Sequence, residues 1–243
     1  MISINTIYNE DCLDTMKRIP TNKVDLIVTS PPYNIGKQYR GSSDNKSDYI
    51  EWLICRLYEM SRISQSLWVN LGYRKSGEGN IPLAFEVYKD IINSGMFLMQ
   101  HITWNYDAGM TYKRRFNCRK EDWLWFVKNP NNYTFNTDAV RDLSLTKYTN
   151  DRRNSKLGKL PSDVWYYPIV KGNSKDRRNH PAMFPKDMIK RIILACSNEG
   201  DLVYDPFMGT GTTAIVAKQL SRNYIGSEIS SDYYLISQAN LLL

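Results

Sequence analysis

Two stretches of the chain combine residue types that could do chemistry. The first is Thr29-Ser30-Pro31-Pro32-Tyr33. Neither proline has an N–H to donate and each fixes φ, so together they end the apolar run 24–28 and stiffen the elbow that follows. A hydroxyl, unpaired carbonyls and an aromatic ring then stand side by side at the carboxyl end of a strand. In open α/β sheets that is where ligands bind. The second stretch runs from Val203 through Asp205, Pro206, Phe207, Gly209, Gly211 and Thr212 to Ala214. It reads as a strand, a glycine turn and a helix start, where backbone passes close to a ligand and free N–H groups face it. Glu228 lies 19 residues past Gly209, at the end of the next apolar run, and an acid there can bind a ribose diol.

The elements that must position these groups follow from periodicity. Residues 3–8 predict a short strand, Cys12–Ile19 a helix closed by Pro20, and 24–28 a buried strand. The polar residues 34–48 predict a lid-like loop, and Asp48 with Glu51 forms a capping box opening a helix over 49–62. Leu67–Val69 reads as a strand turning at Asn70, 73–80 as loop, and Ala84–Ile92 as a helix capped by Gly95. Strands follow at Met96–Trp104 and Asp122–Lys128. From Asn129 to about Asn179 the periodicity disappears. A helix then carries Met188 to Cys196 on one stripe, and a strand, the glycine turn, a helix over about 211–221, a strand at 224–228 and a last helix close the chain.

At 243 residues, with 42% hydrophobic and 23% charged residues, the chain fits one α/β domain carrying an insertion. No run approaches the ~20 apolar residues of a membrane helix, and the start has no signal-peptide pattern. A cytoplasmic protein without a membrane partner is expected. Four scattered cysteines and two histidines argue against a metal site and against a hydrolytic triad. The net charge is +7, and Arg141–Arg178 alone carries ten Lys or Arg against four Asp, or +6. This segment, with Arg152, Arg153, Lys156, Arg177 and Arg178, is the expected contact to an anionic partner.

Alone, the Gly209-x-Gly211-x-x-Ala214 turn could equally hold a dinucleotide. A dinucleotide domain starting at Val203 would need more strands than the 15 residues after Glu228 can supply. With Ser-Pro-Pro-Tyr preceding Asp-Pro-Phe-x-Gly-x-Gly, the chain resembles the beta-group DNA amino-methyltransferases, most closely the N4-cytosine type. The resemblance covers nearly the whole chain and is clearest over 9–33 and 180–234. It implies a Rossmann-like S-adenosylmethionine-dependent methyltransferase fold: α/β, with a mostly parallel sheet in circularly permuted motif order. It divides the chain into a catalytic half (1–128), a target-recognition insertion (129–179) and a cofactor half (180–243). It also implies that Asp11 meets the adenine amino group and that Asp205, Phe207, Gly209, Gly211 and Thr212 line the methionine part. Glu228 would take the ribose, and Ser30 would border cofactor and target alike. The segment His180–Pro185 resembles the one that closes over the methionine, though Phe184 stands where a Lys is usual.

By this resemblance the substrate is double-stranded DNA, with a homodimer and a cognate restriction endonuclease as further partners to consider. Ser30 Oγ and the Pro31 carbonyl would accept from one exocyclic amine, Pro32 would keep the pair rigid, and Tyr33 would stack on the flipped base. The serine points to cytosine N4, with adenine N6 as the alternative. A non-catalytic DNA-binding module with a vestigial cofactor fold is the reading from another class. Asp11 is also readable as a plain helix cap, Glu228 as a solvated strand end and Trp104 as core.

Overall fold

The computed structural model describes residues 2–242 apart from 37, 40–41, 44–45, 78, 107–108, 110, 146–154 and 171–182. Near-continuous apolar runs, buried on both faces, make the central strands. β1 (Thr6–Tyr8), β2 (Val24–Thr29), β5 (Ser64–Leu71), β8 (Phe97–Asn105), β9 (Lys120–Val127), β10 (Val164–Tyr166), β11 (Leu202–Asp205) and β12 (Asn223–Ser227) form one sheet in the order 1-12-11-2-5-9-8-10. Among the described residues only β9 runs against its neighbours, and every other pairing is parallel. β3 (Gln38–Tyr39) with β4 (Ser42–Ser43), and β6 (Tyr73–Ser76) with β7 (Gly79–Pro82), are separate two-stranded pieces.

Helices cover both faces. α1 (Cys12–Lys17), α2 (Tyr49–Ile63) and α3 (Leu83–Asn93) pack on one side through Met16, Leu53, Leu57, Met60 and Val87. α4 (Lys186–Cys196) and α5 (Thr212–Gln219) pack on the other through Met188, Ile192, Ala214 and Ala217, with α6 (Ser231–Leu241) beside α5. This is the expected α/β architecture, three layers deep. The neighbouring of β2 and β11 matters most for function. Their register sets Leu26 opposite Val203 and Ile27 opposite Tyr204, so their carboxyl ends emerge together.

Three local expectations change. Residues 73–80 are a hairpin rather than loop: β6 and β7 pair antiparallel around Gly77, whose φ of +56° suits the tight turn. Asp48 precedes α2 as expected, but its side chain makes no capping hydrogen bond. The stretch read as irregular supplies β10, which extends the sheet edge by pairing Trp165 with Trp104.

Candidate active site

The elbow after β2 is braced from three elements. Tyr49 Oη on α2 donates to the Pro32 carbonyl at 2.5 Å. The Tyr33 ring lies against Gly72, just past β5, where an added Cβ would come within 2.7 Å of the ring. Tyr33 Oη sits 2.9 Å from Ser30 Oγ, 2.7 Å from Asn70 Oδ1 and 3.0 Å from Glu121 Oε2. The phenol has one hydrogen, whereas the Asn70 carbonyl and the Glu121 carboxylate only accept. That hydrogen therefore goes to one of those two. Ser30 is left to donate to the Tyr33 oxygen, and its own lone pairs stay open to the cavity. Burial and the nearby Glu121 charge hold the Tyr33 phenol well above its ordinary pKa, so it keeps its proton.

Beside this elbow, Asp205 ties the two motifs together across 176 residues of sequence. It accepts from Thr29 Oγ1 and Thr213 Oγ1, each at 2.7 Å, and from the Phe207 backbone N–H at 3.0 Å. Desolvation nevertheless raises its pKa to about 6. Glu228 is buried and not a solvated strand end. Its two oxygens accept from the backbone N–H groups of Gly209 and Ser230 at 2.7 and 2.8 Å. Gly211 precedes α5 at φ +91°, packed so closely on Ser237 that a Cβ would meet that side chain at 3.1 Å.

Asp11 does cap α1, accepting from the Leu13 N–H at 2.8 Å, and its second oxygen pairs with Arg56 Nη2 at 2.5 Å. Arg56 lies 4.0 Å over the Trp52 ring, whose centroid is 5.8 Å from that of Phe207. Trp104 is core, donating from Nε1 to the Tyr167 carbonyl at 2.8 Å, and it also walls the site.

Of the residues expected to be catalytic or cofactor-binding, all but Gly211, which packs on Ser237 behind the turn, border one cavity of about 480 Å³ running from Asp11 and Glu228 past Asp205 to Ser30. Met183 and Phe184 wall it too. Thr210 Oγ1, in the glycine turn, is buried without a hydrogen-bond partner and belongs to the same wall. Such an orphaned hydroxyl, beside helix N–H groups and two carboxylates, fits a polar nucleoside-like cofactor in a pocket of ordinary ligand size. Of the residues expected to meet DNA, Lys156 is exposed, while Arg152, Arg153, Arg177 and Arg178 lie outside the described residues.

Sequence reasoning missed Glu121, Asn70, Arg56 and Thr213. Glu121 is an acid heading an apolar strand and Asn70 a fully buried amide in another, so both left a polarity signal at a strand end.

A three-layer sheet with a glycine turn and an acceptor-lined elbow at adjacent strand ends defines a Rossmann-like methyltransferase. A family model described as DNA methylase, covering the N6 and N4 enzymes, matches residues 24–239. The chain belongs to this family: it is an S-adenosylmethionine-dependent DNA methyltransferase. It is 38% identical to Type II methyltransferase M.ScaI of Streptomyces caespitosus, over 97% of this chain and 80% of that one. It is 36% identical to DNA adenine methyltransferase YhdJ of Escherichia coli K12, over 94% and 79%. Its fold is similar to that of PvuII DNA methyltransferase, described as cytosine-N4-specific, with a TM-score of 0.72 at 19% identity over 98% of this chain and 86% of that chain. The M1.HpyAVI–SAM complex gives a TM-score of 0.62 at 21% identity, over 97% and 98%.

Proposed function

We propose that the protein methylates the N4 amine of cytosine at a specific site in duplex DNA, with the target base flipped into the cavity. The observation that carries this reading is Ser30, the serine of a Ser-Pro-Pro-Tyr elbow of the kind that resembles the N4-cytosine type. It borders the cavity and, with the Tyr33 hydrogen going to Asn70 or Glu121, is left free to accept there. An exocyclic amine is a poor nucleophile while its lone pair is delocalised into the ring. Ser30 Oγ and the Pro31 carbonyl would accept its two hydrogens and localise that pair on nitrogen, and the rigid Pro31-Pro32 step limits reorganisation. The Tyr33 ring would face the base. S-adenosylmethionine supplies a methyl group on a sulfonium, already an excellent leaving group, so alignment matters more than acid–base help. The surplus amine proton leaves to water.

Glu228, Phe207, Gly209, Gly211 and Thr212 would hold the cofactor, with Asp11 at its adenine end and Ser30 beside its methyl. The unpartnered Thr210 hydroxyl joins this set. Asp205, with both oxygens occupied by Thr29 and Thr213, would act chiefly by fixing the turn against the elbow. An intact acceptor set and an intact cofactor wall argue against a vestigial binding module. Adenine N6 stands as the second reading, favoured by the 36% identity to an adenine methyltransferase. A cytoplasmic location and a cognate endonuclease accord with the Type II relatives, and a homodimer is an expectation for sedimentation to test. The base is decided by digesting DNA from expressing cells to nucleosides and measuring their masses. N4-methylcytosine is the expected product, and N6-methyladenine without it would overturn the assignment.

A further inference from the structure

We propose that the β8–β9 connection is a DNA wedge: Phe116 enters the base stack where the target base leaves, and the surrounding cations grip the flanking phosphates. The proposal rests on the base-flipping reading above. The connection, residues 106–119, carries Lys113, Arg114, Arg115 and Arg119 against one acid, Asp107, and it lies outside the basic segment 141–178. Phe116 at its centre is 100% exposed, touching nothing that would explain a phenylalanine there.

The geometry ties this loop to the active site. Both of its stems are cavity walls: Tyr106 and Gly109 on one side, Glu121 on the other. Tyr106 N–H donates to the Arg119 carbonyl at 2.9 Å, closing the base of the loop. Glu121, at the start of the returning strand, reaches Tyr33 and through Tyr33 the Ser30 hydroxyl. Within the loop, the Tyr112 N–H donates to Asn117 Oδ1 at 2.8 Å, and the Arg115 guanidinium lies 3.9 Å over the Tyr112 ring. The chain is thus folded on itself, with Phe116 between those contacts and turned to solvent. An exposed apolar side chain with Lys113, Arg114 and Arg115 before it and Arg119 after it, in a connection whose stems wall the cavity, matches duplex DNA in charge and shape. Apolar wedges that separate base steps are a known means of distorting a duplex, and cations neutralise its phosphates.

The test compares two synthetic duplexes carrying the enzyme's own site, mapped beforehand by long-read sequencing. In one the target base is paired; in the other an abasic position stands opposite it, so that less unstacking work remains. Phe116→Ala should lower the ratio of paired to unpaired methylation rates by roughly tenfold, and Phe116→Leu should restore most of it. Arg114→Gln with Arg115→Gln should flatten log Kd against log salt by about 2, at about 0.9 for each phosphate that is no longer neutralised. An unchanged rate ratio in Phe116→Ala would overturn the wedge. Because the side chain is fully exposed, misfolding does not offer an escape. Failure of the underlying reading registers separately, as a wild type that methylates paired and unpaired duplexes at the same rate.

Discussion

Ser30 can act as an acceptor only if its own hydrogen is sent elsewhere, and three side chains see to that. Glu121 or Asn70 takes the single Tyr33 hydrogen, and the Tyr33 oxygen takes that of Ser30. Glu121 is therefore a positioning residue acting through Tyr33. Replacing it by Gln removes the charged acceptor and can present a donor, so that of this pair Asn70 alone is left to hold the phenol hydrogen away from the Ser30 lone pairs. A hydrogen bond to a charged group is worth roughly 1.5–3 kcal/mol, so Glu121→Gln should slow single-turnover methylation by about ten- to a hundredfold. Tyr33→Phe breaks the same relay. The double variant should accordingly be no slower than the worse single one. Losses that multiply would show that the two residues act independently.

At the scale of elements, the site depends on β2 and β11 ending side by side, and Asp205 is the clasp between them. Its pKa, raised to about 6, means that the native state favours the protonated carboxyl. That contribution to stability is fully present below the ordinary value of 3.8 and is lost as pH rises toward 6. Relative to Asp205→Asn, the wild type should lose up to about 3 kcal/mol between pH ~4 and ~6 and change little above. Urea denaturation of both proteins across that range measures it, and parallel stability curves would contradict it. The two strands and the motifs after them were legible in the sequence because each is a short local run with its own punctuation: prolines for one, glycines for the other. The hairpin over 73–82 was hidden in a polar, glycine-bearing stretch without apolar alternation. β10, three residues between Ser162-Asp163 and Tyr167-Pro168, had too little periodicity to register. Glu121 was invisible as a partner of Tyr33 because their contact depends on the β5–β9 pairing, which no local pattern announces.

The whole molecule is built on one eight-stranded sheet in which β11 and β12, from late in the chain, lie between β1 and β2 from its start. The β8–β9 connection carries four cations, and a second basic group lies along 141–178. No helix among the described residues is long and apolar enough to cross a membrane. The cavity lies at the carboxyl ends of β2 and β11, walled by both motifs and by the stems of the β8–β9 connection. On the function proposed above, the acceptor pair at Ser30 carries the chemistry while other groups supply most of the cofactor binding. The most direct measurement is single-turnover transfer of labelled methyl from S-adenosylmethionine to unmethylated genomic DNA by wild type and Ser30→Ala, paired with calorimetry of the cofactor. The transfer rate should fall roughly a hundredfold, the scale of removing one placed hydrogen-bond partner from the transition state, while cofactor affinity stays within about threefold. A Ser30→Ala enzyme that transfers methyl at the wild-type rate would contradict the account.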